Sequence, residues 1–118
     1  MKSYTDIEQS RKLAEILPLE SADMKILPFT EREYRVVPIN DISVCDRDDE
    51  IPCWSLLALF GVLPTIDDEF EPQLHRSLDK YFCTYEGEED SSGLWRVADN
   101  PIDACYEMIL KLHELKLL

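Results

Sequence analysis

Histidines and cysteines are few in this sequence, and acids are many: 2 His and 4 Cys stand against 25 Asp and Glu. A metal site would need His75 or His113 within ligand distance of Cys or carboxylate partners. His113-Glu114 is not followed by a second His at helical spacing, so the zinc-protease helix motif is absent. Both histidines read as surface residues, His113 on a helix and His75 on the solvent side of a strand. No C-x-x-C pair joins Cys45, Cys53, Cys83 and Cys105, which removes zinc ribbons and thioredoxin-like motifs. A cysteine nucleophile needs a neighbouring base that lowers its pKa, whereas Cys83 and Cys105 stand in apolar patterns that raise it. The cysteines are expected as free thiols, with Cys45 exposed and the others buried. There is no G-x-S-x-G, and 3 Gly are too few for a phosphate-cradling loop.

The carboxylates invite a calcium reading. Asp46-Arg47-Asp48-Asp49-Glu50 begins like an EF-hand loop, but Ile51 stands where the loop needs Gly and Leu57 where it needs Glu. Asp67-Asp68-Glu69 falls short in the same way, with Leu78 at its last ligand place. Two carboxylates could meet for acid–base hydrolysis, yet nothing selects a pair. No catalytic, cofactor-binding or metal-binding residue is therefore assigned, and no cofactor is expected.

The charge is uneven. Asp41–Glu50, Asp67–Glu71 and Glu86–Asp90 carry nearly all of the formal net charge of -13. Direct nucleic-acid binding is disfavoured, because neutralising phosphates needs clustered Lys and Arg. The acids fall where loops should be, and solvation of those loops is their simplest role. If they converge, Asp46, Asp48, Asp49, Asp67, Asp68, Glu88 and Glu89 form a candidate contact for a protein partner. Trp54 and Trp95 are each flanked by core-type residues and are expected in the core. Trp54, beside an acidic loop, is the better candidate for partial exposure and joins the candidate contact.

The elements that would position these groups follow from pattern. A chain of 118 residues with 45% hydrophobic content can bury roughly two-thirds of its unfolded surface without metals or disulfides, and reads as a single globular domain over 1–118. The longest apolar run, Leu56 to Leu63, is far short of the roughly 18 residues of a membrane span. The polar Met1–Ser10 does not read as a signal peptide, which gives a cytoplasmic expectation. Thr5-Asp6-Ile7-Glu8 fits a capping box opening a helix that Pro18 stops. Lys25–Phe29 and Glu33–Ile39 read as a strand hairpin, with Pro28 and Pro38 at edges or ends. Ser55 caps a second helix, Leu56–Leu63, with almost no polar face, expected to be buried on most sides. Gln73–Leu78, Lys80–Tyr85 and Leu94–Ala98 read as three more strands. Asn100, Pro101 and Asp103 open the last helix, whose stripe runs through Ile102, Cys105, Tyr106, Ile109, Leu112 and Lys116. The order α-β-β-α-β-β-β-α predicts an α+β fold, a small mostly antiparallel sheet packed by three helices.

Four blocks carry a resemblance: Tyr4–Ser10, Leu19–Met24, Ile51–Leu56 and Pro101–Met108. Through them nearly the whole chain is similar to a family of small uncharacterised proteins of gut Bacteroidetes genomes, often encoded in phage-like or other mobile regions. The resemblance implies a mobile-element origin and brings no activity, ligand or site residue.

The function expected from these observations is that of a non-enzymatic accessory protein acting by protein–protein contact, as a monomer or weak homodimer and without a membrane. A small-ligand or enzymatic domain, with a pocket built from scattered residues, is the alternative from another class. A structural homodimer is the third.

Overall fold

Local hydrogen bonding decides where the helices begin. The structure, a computed structural model, describes residues 1–30, 32–41, 49–86 and 91–118. The fold is α+β, with α1 (Ile7–Ile16), β1 (Met24–Pro28), β2 (Tyr34–Pro38), β3 (Ile51–Cys53), α2 (Leu56–Val62), β4 (Glu71–Ser77), β5 (Lys80–Glu86), β6 (Ser91–Ala98) and α3 (Pro101–Glu114). The strands form two three-stranded antiparallel sheets, ordered β2-β1-β3 and β4-β5-β6. Among the described residues, no helix is long and apolar enough to cross a membrane. The chain divides into two compact units, Tyr4–Ala58 and Leu59–Leu118 with Met1–Ser3.

In the Tyr4–Ala58 unit, β1 pairs with β2 on one side and β3 on the other, and α1 packs against β3. Pro28 closes β1 and Pro38 closes β2, where a missing N–H costs no ladder bond. Ile26, Ile51 and Cys53 form a core joined by Ile7, Met24 and Val36. The capping box of α1 sits one residue beyond the expected one. Asp6 accepts the Gln9 N–H at 2.8 Å, and Gln9 Oε1 accepts the Asp6 N–H at 3.2 Å. Thr5 is withdrawn from that role because its hydroxyl is buried against Ser10 and Trp54. Lys25 is buried on β1, and its ammonium meets Glu50 at 3.3 Å.

In the other unit, β4 and β5 form a hairpin closed by Leu78-Asp79, both with positive φ (51° and 62°). β6 adds to β5 with a register shift between Thr84 and Glu86, and Gly93 (φ 78°) supplies the left-handed residue there. Helix α3 starts as its residues dictate: Asn100 Oδ1 accepts the Asp103 N–H at 2.9 Å, with Pro101 at the first position. It lies against β5 and β6 through Ile102, Cys105, Met108, Ile109 and Leu112. Lys116, expected on the same stripe, lies beyond the helix at φ 61°.

Helix α2 departs from expectation. Ser55 does cap it, accepting the Ala58 N–H at 3.3 Å, but Leu59 is its only fully buried residue. Leu57 is 83% exposed. Two turns bury one stripe, and a residue two places from Leu59 points elsewhere.

Candidate functional site

The sheet β4-β5-β6 has two unlike faces, and strand alternation assigns them. One face carries Leu74, Tyr81, Cys83, Tyr85 and Arg96 and is covered by α3. The other carries Glu71, Gln73 and His75 from β4, Lys80, Phe82, Thr84 and Glu86 from β5, and Trp95 and Val97 from β6. This second face is open. Trp95 is 54% and Val97 40% exposed, and the rings of His75 and Phe82 stack with centroids 5.2 Å apart. Phe82 is the register partner of both His75 and Val97, so three strands contribute to one apolar patch.

The ends of the patch differ in charge. At one end the Lys80 ammonium is paired with Asp99. At the other, Glu71 and Glu86 are direct register partners, both exposed. The Thr65 hydroxyl lies 3.1 and 3.0 Å from the two oxygens of Glu71, and among the described residues neither carboxylate has a cationic partner. Thr84, opposite Trp95 and next to Glu86 on the same face, is buried, and its hydroxyl has no hydrogen-bond partner among the described residues.

The buried chemistry of the molecule is structural by comparison. In the unit containing α3, Cys83, Cys105 and Tyr85 are fully buried. The hydrogen bond between the two thiols, and then burial, push Cys105 up, while that bond from Cys105 lowers Cys83. Fully buried and bonded to each other, these thiols are not poised as nucleophiles. In the Tyr4–Ala58 unit the Ser55 hydroxyl donates to Asp23, which suggests activation of a serine. The same Asp23 accepts the Ser55 N–H at 2.9 Å and Ser55 caps α2, so the pair fixes a helix entry. Among the described residues no three His, Cys, Asp or Glu side chains form a group that could hold a metal ion.

Of the residues expected at a contact, the described ones, Trp54, Asp49, Asp67 and Asp68, are not on the strands of the open face. Trp54 is fully buried, its indole N–H donating to Ser21 Oγ at 3.0 Å, so the expected exposure of the two tryptophans is reversed. The reason is local: Trp54 follows β3 into the core, whereas Trp95 falls on the uncovered side of β6. Asp67 and Asp68 are exposed together in the turn between Ile66 and Phe70, at φ 54° and 55°. Asp tolerates that left-handed backbone, which explains the residue type without a ligand. Asp49 is exposed, in the other unit. Asp46, Asp48, Glu88, Glu89 and the thiol of Cys45 lie outside the described residues. His75 and His113 are exposed as expected.

Comparison with known proteins adds no relative: no family model matches the chain, and no curated protein and no solved structure matches it.

Proposed function

We propose that this protein acts by contact with another protein, through the open face of β4-β5-β6. The observation that carries this reading is the joint exposure of Trp95 and Val97 beside the His75–Phe82 stack. Single exposed apolar residues are ordinary on any surface, but a contiguous aromatic patch on a rigid sheet marks an interaction site. Aromatic residues also carry most of the energy of interfaces where they occur, because they bury large area with few rotatable bonds. The accessory role rests on the absence of catalytic motifs in the sequence, the cytoplasmic setting on its polar Met1–Ser10, and the mobile-element origin on the resemblance alone.

The test is site-specific photocrosslinking in expressing cells. A benzophenone amino acid at position 95 should give a discrete adduct with a second protein, and one at the exposed Glu107 on α3 should not. Val97→Asp should remove the adduct at 95 without lowering the unfolding midpoint. Equal diffuse labelling from both positions would end this reading, and an adduct of two copies of this chain would replace it with a homodimer.

A further inference from the structure

We propose that the outer edge of β6 accepts an extended segment of a partner protein as a fourth strand of β4-β5-β6, with alternate apolar side chains of that segment lying beside Trp95 and Val97. This deepens the reading of the open face as a contact surface and rests on it.

Register decides which backbone groups β6 turns outward. Leu78-Asp79 is a two-residue turn, so Ser77 and Lys80 are the closing pair that exchanges hydrogen bonds between β4 and β5. Bonded and non-bonded pairs then alternate along the ladder. Phe82 and Thr84, at even steps from Lys80, give their backbone groups to β4, and Tyr81 and Cys83 give theirs to β6. Cys83 is the register partner of Arg96 and Tyr81 that of Ala98, so those two residues of β6 are bonded to β5. Trp95 and Val97, opposite Thr84 and Phe82, turn their N–H and C=O groups to the outer edge. A side-chain bond agrees with this, since the Arg96 guanidinium donates to the Trp95 carbonyl at 2.9 Å.

The edge strands are not protected alike. β2, β3 and β4 also lie at sheet edges, and each contains a proline: Pro38, Pro52 and Pro72. Pro72 stands opposite Tyr85, an outward position on β4 by the same alternation, so its missing N–H blunts that edge. β6 runs for 8 residues, Ser91–Ala98, without proline, lysine or acid. Charges and prolines are what ordinarily guard an edge against pairing. Here the Arg96 guanidinium is the guard, and unlike a proline it can rotate aside.

Trp95 and Val97 thus join two properties. Their side chains are exposed on the open face, and their backbone groups are the ones an added strand would bond. Residues opposite them on that strand place their side chains on the same face. A helix binds by its side chains and leaves such backbone groups unmet, whereas an extended segment meets them in turn. Charge selects the source of the segment. A second copy would bring a net charge of -13 against -13, while a basic segment is attracted. The occupant is therefore extended, apolar at alternate positions and basic at its ends.

The experiment uses the full chain, labelled with nitrogen-15, and the probe peptide acetyl-Lys-Val-Thr-Val-Thr-Val-Lys-amide. It should give saturable shifts at the Trp95 and Val97 amides. At saturation it should slow their hydrogen exchange about tenfold, while the Arg96 amide, already bonded to β5, changes little. A peptide N-methylated at its valines keeps every side chain but offers β6 no N–H, and it should bind about tenfold more weakly. One N-methylated at its threonines, whose N–H groups face away from β6, should bind as the parent does. Exchanging the lysines for glutamates should weaken binding, and salt should narrow that difference. No saturable shift, shifts without slowed exchange at Trp95 and Val97, or equal binding of the valine-methylated peptide would overturn the added strand. Protection of these two amides that grows with protein concentration alone would give the edge to a second copy and overturn the partner segment. If the adduct from position 95 persists under any such result, the face remains a contact and only its added strand is refuted. If that adduct is also missing, the contact reading itself has failed.

Discussion

The hydroxyl of Thr5 accepts the backbone N–H of Trp54 at 3.1 Å, tying the entry of α1 to the end of β3. The same oxygen lies 2.8 Å from Ser10 Oγ, and the Thr5 N–H returns to the Trp54 carbonyl at 2.9 Å. Both Thr5 and Ser10 are fully buried. Thr5→Val keeps the shape and removes the hydroxyl, leaving the buried Trp54 N–H unpaired and taking one hydrogen-bond partner from the buried Ser10. The expected loss is about 1–3 kcal/mol of stability, the desolvation penalty of orphaned groups. Urea unfolding measures it, and a loss under a few tenths would mean that water replaces the hydroxyl.

Burial separates three apolar positions that look alike in the sequence. Leu59 and Ile109 are fully buried, and an Asp at either would lack a partner. Leu59→Asp and Ile109→Asp should each cost several kcal/mol, roughly the whole stability of a domain, and abolish soluble expression or cooperative unfolding. Leu57→Asp, two residues from Leu59 but exposed, should change stability by no more than about 0.5 kcal/mol. A folded Leu59→Asp protein, or an unfolded Leu57→Asp one, would reverse the assignment of the α2 face.

These contrasts show where sequence reasoning reached and where it stopped. The start of α3 was legible because Asn100, Pro101 and Asp103 act within four residues of one another. The β1–β2 hairpin was legible for the same reason, with prolines falling at the strand ends. The cap of α1 was displaced because Thr5 is claimed by Trp54, 49 residues away in the chain, and no local pattern contains that bond. The open face was hidden by β6 itself. Leu94 and Ala98 lie on one side, Trp95 and Val97 on the other, so both sides read as apolar and alternation could not say which is covered. Glu71 and Glu86 belong to acidic stretches that were visible as composition, but their opposition across the ladder depends on register.

The β4–β5 hairpin contains a costly choice. Leu78 has φ 51° and is 94% exposed, so a bulky apolar residue sits in left-handed backbone with almost no packing in return. A two-residue turn with positive φ at both places favours Asn or Gly at the first. Leu78→Asn should therefore raise stability by about 0.5–1 kcal/mol, since the left-handed conformation costs most side chains about 1–2 kcal/mol. A thermal or urea midpoint that falls instead would show that Leu78 makes a stabilising contact in solution.

Alkaline stability follows from two buried acids of opposite units. Burial pushes the Cys53 thiol up and the Asp23 carboxylate adds to the rise, against lowering bonds from Thr5 and Ser10. Burial, and then the nearby Cys83, Glu71 and Cys105, push the Tyr85 hydroxyl up. In both cases the folded state holds its proton to higher pH than the unfolded state does. Stability therefore falls as pH rises, because the unfolded state binds fewer protons. The Cys53 contribution is fully present below its unfolded pKa of about 8.5 and is lost above it, and the Tyr85 contribution is lost above about 10. Each group adds a slope of about 1.4 kcal/mol per pH unit once only its unfolded form is ionised. The Cys83–Cys105 pair is shifted in opposite directions and offsets itself in part, so single replacements give the cleaner reading. Cys53→Ala should flatten the decline that begins near pH 8.5, and Tyr85→Phe should flatten the steeper one above about pH 10. Urea midpoints for the three proteins, measured across pH 7 to 11, decide the matter. A wild-type midpoint that holds level above pH 10, or a Tyr85→Phe slope equal to that of the wild type, would mean that Tyr85 ionises while the protein is still folded.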